Sequence, residues 1–266
     1  MSKQEQQGER VVEAQLTEGV MTLTLNRPRQ LNAMTPEVVT QLLDAIDEAE
    51  REGARALLVT AAGRGFCAGR DLAGSEPGVE DGGQVLEDLF HPMVRRVAGL
   101  TFPTIAAVQG VALGTGLGLA LACDVVIVAE DAKIGSPFGK IGAVLDSGAH
   151  KAFVDRLGPA VALDLIYSGR FLTGTQAAAA GLVSQAVPVE ELATAAREYA
   201  RAVAAGPALA FAESKRLVRE LSDTGLSLDE VLDRESAAQS RSSRTQDYVE
   251  GFAAFLERRT PTFRGE

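Results

Sequence analysis

Residues 103–124 read PTIAAVQGVALGTGLGLALACD. The stretch opens on an apolar run, 104–108, of the right length for a buried strand. It passes through closely spaced glycines and closes on an apolar segment, 114–122, that reads as a helix start. The order strand, glycine-rich turn, helix occurs twice more. ALLVT (56–60) leads into FCAGRD (66–71), and KIGAVLDS (140–147) leads into a helix. Glycine lets a backbone approach a ligand closely. A helix N-terminus offers unpaired N–H groups and a partial positive charge. Such a place suits an anion, or an oxygen that becomes anionic during reaction. A dinucleotide phosphate does not fit: Gly114, Gly116 and Gly118 give G-x-G-x-G, followed by Leu119, with no early βαβ unit. No G-x-x-x-x-G-K-[ST] occurs either. The glycines by themselves are equally compatible with close helix packing.

Outward from this stretch, residues 11–16 and 20–26 alternate apolar and polar around Thr-Glu-Gly, which predicts a hairpin. Thr35 before Pro36 is a helix start, and Val38, Val39, Leu42, Leu43 and Ile46 mark one face of a helix reaching about residue 52. AGSEPGVEDGGQ (73–84) reads as a polar, mobile loop, followed by a helix at about 85–99. Strands are expected at 104–108, 124–129, 133–134 and 183–186, and helices at 147–157, 160–168 and 175–180. From residue 190 the pattern is almost wholly helical, with breaks near 206–207, 224–226 and 240–243. Alternating strands and helices followed by helices alone predict an α/β core with a helical appendage. The expected division is a disordered tail at 1–10, a core at 11–200 and a C-terminal helical region at 201–266.

The chain has 266 residues, 46% hydrophobic and 23% charged, enough for a sizeable core. Asp plus Glu number 36 against 26 Lys plus Arg, a net charge of −10. That balance argues against nucleic acid and against an anionic membrane surface. Cys67 and Cys123 are far apart, and His91 and His150 are the two histidines, so neither a disulfide framework nor a metal site is expected. The polar MSKQEQQGER start lacks a signal core, and glycines, Gln109 and Cys123–Asp124 interrupt the longest apolar stretch. A cytoplasmic protein is expected.

The set LNRPRQLNAM (25–34), FCAGRDL (66–72), PTIAAVQGVALGTGLGLALACD (103–124), KIG…DSG (140–148), AAAAGLVSQAV (177–187) and EGFAAFLERRTPTF (250–263) resembles the enoyl-CoA hydratase/isomerase, or crotonase, superfamily. The resemblance runs in order over nearly the whole chain. It implies a crotonase-like spiral of ββα units, a C-terminal helical trimerisation region, and a homotrimer or homohexamer. It also implies an acyl-CoA thioester as substrate, with no separate cofactor. Carried over position by position, it makes the backbone N–H groups of Arg70 and Thr115 the donors to the thioester oxygen. Threonine at 115 departs from the glycine or alanine of many members. Ala68, Asp71, Leu72, Gly114, Phe138 and His91 would line the substrate, Ala68 and Asp71 toward coenzyme A. Asp71 reads equally well as a loop-capping carboxylate.

Hydratases of this family use two glutamates, and the matching positions here are Gly118 and Phe138, neither able to carry a proton. One acid stands nearby, Asp146, after an apolar stretch whose burial would raise its pKa. It reads as the N-cap of a helix beginning at Ser147, as a catalytic acid, or as both. An aspartate there, together with FHPMVRRVAGL (90–100), is similar to isomerases of phenylacetate catabolism. A single carboxylate suffices for isomerisation through a thioester enolate. A second reading follows 4-chlorobenzoyl-CoA dehalogenase, with Asp146 as nucleophile and His91 as base, although this chain has no Trp. A third is an acyl-CoA binder of weak or no activity. His150, four residues after Asp146, is within reach of it or faces solvent. Lys215 and Arg258–Arg259 are candidates for coenzyme A phosphates, and FAESKRLV (211–218) is first of all an amphipathic helix.

Overall fold

Alternating residues make Val12–Thr17 (β1) and Val20–Leu25 (β2) an antiparallel hairpin, Thr17 opposite Val20. Glu18 and Gly19 both have positive φ, the two-residue turn whose twist matches the strands. The computed structural model describes residues 10–266, so the expected tail, 1–10, lies outside the described residues except for Arg10. Thr35 accepts the Val38 N–H and Pro36 takes the first position of α1 (Pro36–Arg51), which buries Val38, Val39, Leu42 and Ile46. β3 (Ala56–Ala61) follows.

The expected helix at 85–99 begins earlier and is interrupted. It consists of α2 (Gly82–Val85), a π turn (Leu86–Phe90) and α3 (His91–Gly99). The cause is Pro92, which has no N–H for the Asp88 carbonyl and whose ring crowds it. The His91 N–H instead reaches Leu86 O, five residues back. β4 (Thr104–Val108), β5 (Val111–Leu113), α4 (Thr115–Ala122), β6 (Val125–Ala129) and β7 (Lys133–Gly135) come next. Thr115 through Leu121 are all buried, as an apolar helix without a polar face must be. Then come α5 (Ala149–Leu157), α6 (Pro159–Ser168), β8 (Leu172–Thr173), α7 (Gly174–Ala179), β9 (Gln185–Val187) and α8 (Val189–Ala204). α9 (Ala208–Asp223), α10 (Leu228–Ser242) and α11 (Gln246–Glu257) complete the chain.

Six strands form one sheet in the order β1-β2-β3-β4-β6-β9, parallel except for the first hairpin. β5, β7 and β8 form a second, smaller sheet. This is the expected α/β spiral: β4 and β6 enter the large sheet, and β5 and β7, each following directly, pair in the small one. β5 and β8 were not anticipated, because strands of three and two residues are specified by their partner and not by their own pattern. The expected boundary at residue 200 falls inside α8, whose Leu192, Ala196, Ala200 and Ala204 are buried in the main core. The break comes at Gly206–Pro207, where a Cβ on Gly206 would strike the Phe211 ring at 2.3 Å. Among the described residues no helix is long and apolar enough to cross a membrane.

Candidate active site

Two short parallel contacts assemble the site. The Met34 N–H donates to Gly69 O and the Asp71 N–H to Met34 O, both at 2.8 Å, which pins 69–71 as an extended segment. Bonds of this kind alternate along a strand, so the Arg70 N–H points away from Met34. The Cys67 N–H donates to Val111 O and the Leu113 N–H to Cys67 O. The loop is thereby laid along β5. Gly69 has φ +98°, and a Cβ there would lie 3.0 Å from Leu113 O. A Cβ at Gly116 would lie 2.5 Å from Cys67 Sγ. These glycines let the loop touch the start of α4. Burial pushes the Cys67 thiol up to about 12, so it stays protonated and serves packing.

Arg70 and Thr115 are thus brought to one place, each with a backbone N–H that donates to no protein group among the described residues. Thr115 opens α4, where such donors are unpaired by construction and carry the helix's positive end. Gly114 has φ +50°, and Phe138 lies against it, 2.8 Å from where a Cβ would be. The ring therefore packs on the residue that precedes α4. The Thr115 hydroxyl is buried without a partner. Thr115→Val keeps the N–H and the branched shape. It is expected to raise stability by about 1 kcal/mol with kcat changed less than about threefold. A thermal melt beside a rate measurement checks this, and a large fall in kcat would give the hydroxyl a chemical role.

The segment that carries Asp146 packs against α4. A Cβ at Gly118 would lie 2.3 Å from Ser147 Cβ and 2.6 Å from Ser147 O. The space beside Gly118 is therefore filled by the segment that carries Asp146. Ser147 holds φ +54°, a left-handed conformation uncommon outside glycine, and Gly148 follows with φ +80°. Helix α5 starts at Ala149 with Gly148 at its N-cap and no side-chain cap, which corrects both the expected start at Ser147 and the capping reading of Asp146. Asp146 Oδ1 is buried with no hydrogen-bond partner. Burial raises its pKa above the ordinary value. The Ser147 hydroxyl, close but outside sound hydrogen-bond geometry, opposes the rise, as do the charges of His91, His150 and Arg70.

The remaining expected residues divide. His91 Nδ1 pairs with Glu87 Oε1 at 3.0 Å, one turn back, and makes no hydrogen bond to Asp146. His150 is exposed at the rim and does not bond Asp146 either. Ala68 is half-buried with its N–H on Leu31 O, and Leu72 is exposed. The Asp71 carboxylate accepts from the Ala73 N–H and from Arg27, and these bonds hold it below its usual range. Its side chain is a loop cap, the alternative left open by the sequence. The Arg70 guanidinium turns outward to Glu80, at 2.6 and 2.7 Å, and to Ser75, which ties down the loop expected to be mobile. Lys215 is spoken for: its ammonium pairs with Asp124 and donates to Phe102 O. Arg259 is held by Glu250 and Glu257, and Arg258 closes α11. Lys215 and Arg259 are thus engaged within the fold. The contacts of Gly116 and Gly118 and the buried Ser136 and Ser147 hydroxyls were not foreseen, because each depends on a residue distant in sequence or on a turn.

Residues 15–266 match the enoyl-CoA hydratase/isomerase family. The chain is 40% identical over 256 residues to a 1,2-epoxyphenylacetyl-CoA isomerase of Escherichia coli, covering 93% of this chain and 96% of that protein. It is 33% identical over 247 residues to a 2,3-dehydroadipyl-CoA hydratase of the same organism, covering 92% and 95%. The crystal structure of an enoyl-CoA hydratase from Bacillus anthracis superposes with a TM-score of 0.89 at 31% identity, over 97% of this chain and all of that one. With the glycine-built site and the spiral of paired sheets, these likenesses establish that this chain is an enzyme of the enoyl-CoA hydratase/isomerase family, within the crotonase superfamily.

Proposed function

We propose that the protein is an acyl-CoA isomerase in which Asp146 moves one proton along the acyl chain. The observation that carries this reading is the buried Oδ1 of Asp146, on the segment packed against Gly118, together with the Arg70 and Thr115 N–H groups, none of which has a partner among the described residues. The thioester oxygen accepts from the Arg70 and Thr115 N–H groups. Asp146 removes a proton from the α-carbon, and the electron pair of that C–H bond moves into the enolate. One such donor is worth about 3–4 kcal/mol to the developing charge. Asp146 then returns the proton to the γ-carbon, the enolate collapses, and the double bond ends conjugated with the thioester. With Gly118 and Phe138 at the two glutamate positions, no second carboxylate stands ready to activate water. The likeness to an epoxyphenylacetyl-CoA isomerase supports the same direction, toward an unsaturated or ring-bearing acyl group. A trimer or a hexamer remains the expected assembly, and the exposed Val249, Phe252, Phe255 and Leu256 on α11 suit a subunit contact.

The test is a 3-enoyl-CoA substrate followed by ultraviolet absorbance across pH. Absorbance of the conjugated product is expected to rise and hold, because a hydratase would go on to remove it. Asp146 must be ionised to accept the proton, and its pKa is raised. The rate should therefore fall as pH drops through an apparent pKa above the ordinary 3.8 of an aspartate. The Glu87–His91 pair favours one competing reading, since it holds an imidazole whose charge acts on Asp146. In that reading Asp146 attacks a halogenated aroyl-CoA, and intact-protein mass would detect the ester. Such an ester, with no 3-enoyl-CoA turnover, would overturn the isomerase.

A further inference from the structure

Backbone bonds hold one edge of the segment 69–71. Met34 pairs with Gly69 and Asp71, and the opposite edge, where the Arg70 N–H lies, bonds no protein group among the described residues. The loop that follows, 72–81, is exposed except at Ser75. Leu72 and Val79 face solvent, and a Cβ on Gly74 or Gly78 would meet nothing within 4 Å. Packing therefore does little to fix this loop, and polar ties do the rest. At its start Asp71 accepts from the Ala73 N–H and from Arg27. At its end the Glu80 carboxylate reaches back to the Arg70 guanidinium, with both oxygens in hydrogen-bond range, and Ser75 Oγ joins at 3.2 Å. The Arg70 and Glu80 side chains are 25% and 33% exposed, so the pair is partly shielded from water. An ion pair this open contributes little to global stability. It does tie the free end of the loop to the residue whose N–H stands unengaged.

On the reading above, in which the Arg70 N–H donates to the thioester oxygen, we propose that Glu80 is a positioning residue. By gripping the Arg70 guanidinium it fixes the aim of the Arg70 N–H. A donor to a developing oxyanion is worth most when it is held in place before the charge appears. Without Glu80, residue 70 keeps Met34 on one side, but its side chain and the loop are released on the other.

The probe is cinnamoyl-CoA, whose absorption moves to longer wavelength when donors draw electron density onto the conjugated carbonyl oxygen. Binding to the wild type is expected to produce that shift. Glu80→Gln should lose more than half of it while binding the thioester within about threefold, and should lower kcat on a 3-enoyl-CoA by roughly three- to tenfold. Glu80→Asp keeps the charge and should recover part of both. Arg70→Gln keeps the backbone N–H but has no guanidinium, and adding Glu80→Gln to it should change nothing further. The melting temperature of Glu80→Gln should stay within about 2 °C of the wild type. An equal shift in the wild type and Glu80→Gln overturns the proposal and leaves the donor reading standing. A further loss when Glu80→Gln is added to Arg70→Gln also overturns it, because Glu80 would then act by another route. No shift in the wild type removes the donor reading itself, and the proposal with it.

Discussion

Asp146→Asn is expected to slow conversion of a 3-enoyl-CoA to its conjugated isomer by about 10²–10⁴-fold. The amide keeps the shape of the carboxylate but accepts no proton, while the Arg70 and Thr115 donors remain. Substrate binding should therefore change little, and the loss should fall on kcat. The same substitution should make the protein more stable at neutral pH, and the sign follows from burial. Asp146 has a raised pKa in the folded state because burial penalises its charge. Between the ordinary aspartate value and that raised value, the folded chain holds a proton that the unfolded chain has released. Stability due to this group therefore falls as pH rises through that window, and it stays lower above. Asparagine has no charge to bury. Melting curves at pH 7 should place the variant above the wild type, and the gap should close below the ordinary carboxylate range. A variant that lost activity and stability together would make Asp146 a structural residue.

Gly118→Ala should be the most damaging small substitution near the site. The added methyl would sit 2.3 Å from Ser147 Cβ and 2.6 Å from Ser147 O, and the second of these is backbone. Ser147 is fully packed and already in a left-handed conformation, so it cannot retreat cheaply. A cost of about 1–3 kcal/mol or more is expected in denaturant unfolding. Displacing Ser147 displaces Asp146, and a misplacement on the order of 1 Å can cost about 10²-fold in rate. Gly99→Ala is the control, because nothing lies within 4 Å of its added methyl, and it should leave both quantities unchanged. The argument holds more strongly for Gly118→Glu, which restores the residue a hydratase carries there. It should yield a damaged protein and no hydratase, since the turn that delivers Asp146 occupies the space the glutamate needs. An active hydratase from that single change would show that the turn is free to move.

Much of this was legible in residues close together along the chain. The glycine-bearing strand–turn–helix segments, Pro36 after Thr35, and the alternation of 11–26 each express a local rule, and the structure follows them. Family membership was legible because motifs spread from residue 25 to residue 263 occur in order. That positions 118 and 138 carry no ionisable group was legible directly, because they are glycine and phenylalanine. The π turn before Pro92 was not read, because the helical pattern at 85–99 concealed it.

Contacts between distant segments were not legible. Asp71 and Lys215 are polar residues in suggestive places, and only the folded chain brings Arg27 to one and Asp124 to the other. The capping reading of Asp146 was as sound by local rules as the catalytic one. It fell because Ser147 and Gly148 both turn left-handed and delay the helix to Ala149. By itself, the sequence determined the family and the α/β spiral, because periodicity, turn chemistry and residue type act over a few neighbouring positions. Tertiary structure alone decided which polar groups are engaged and which stand unpaired, because burial and hydrogen bonding are settled by residues that meet only in space.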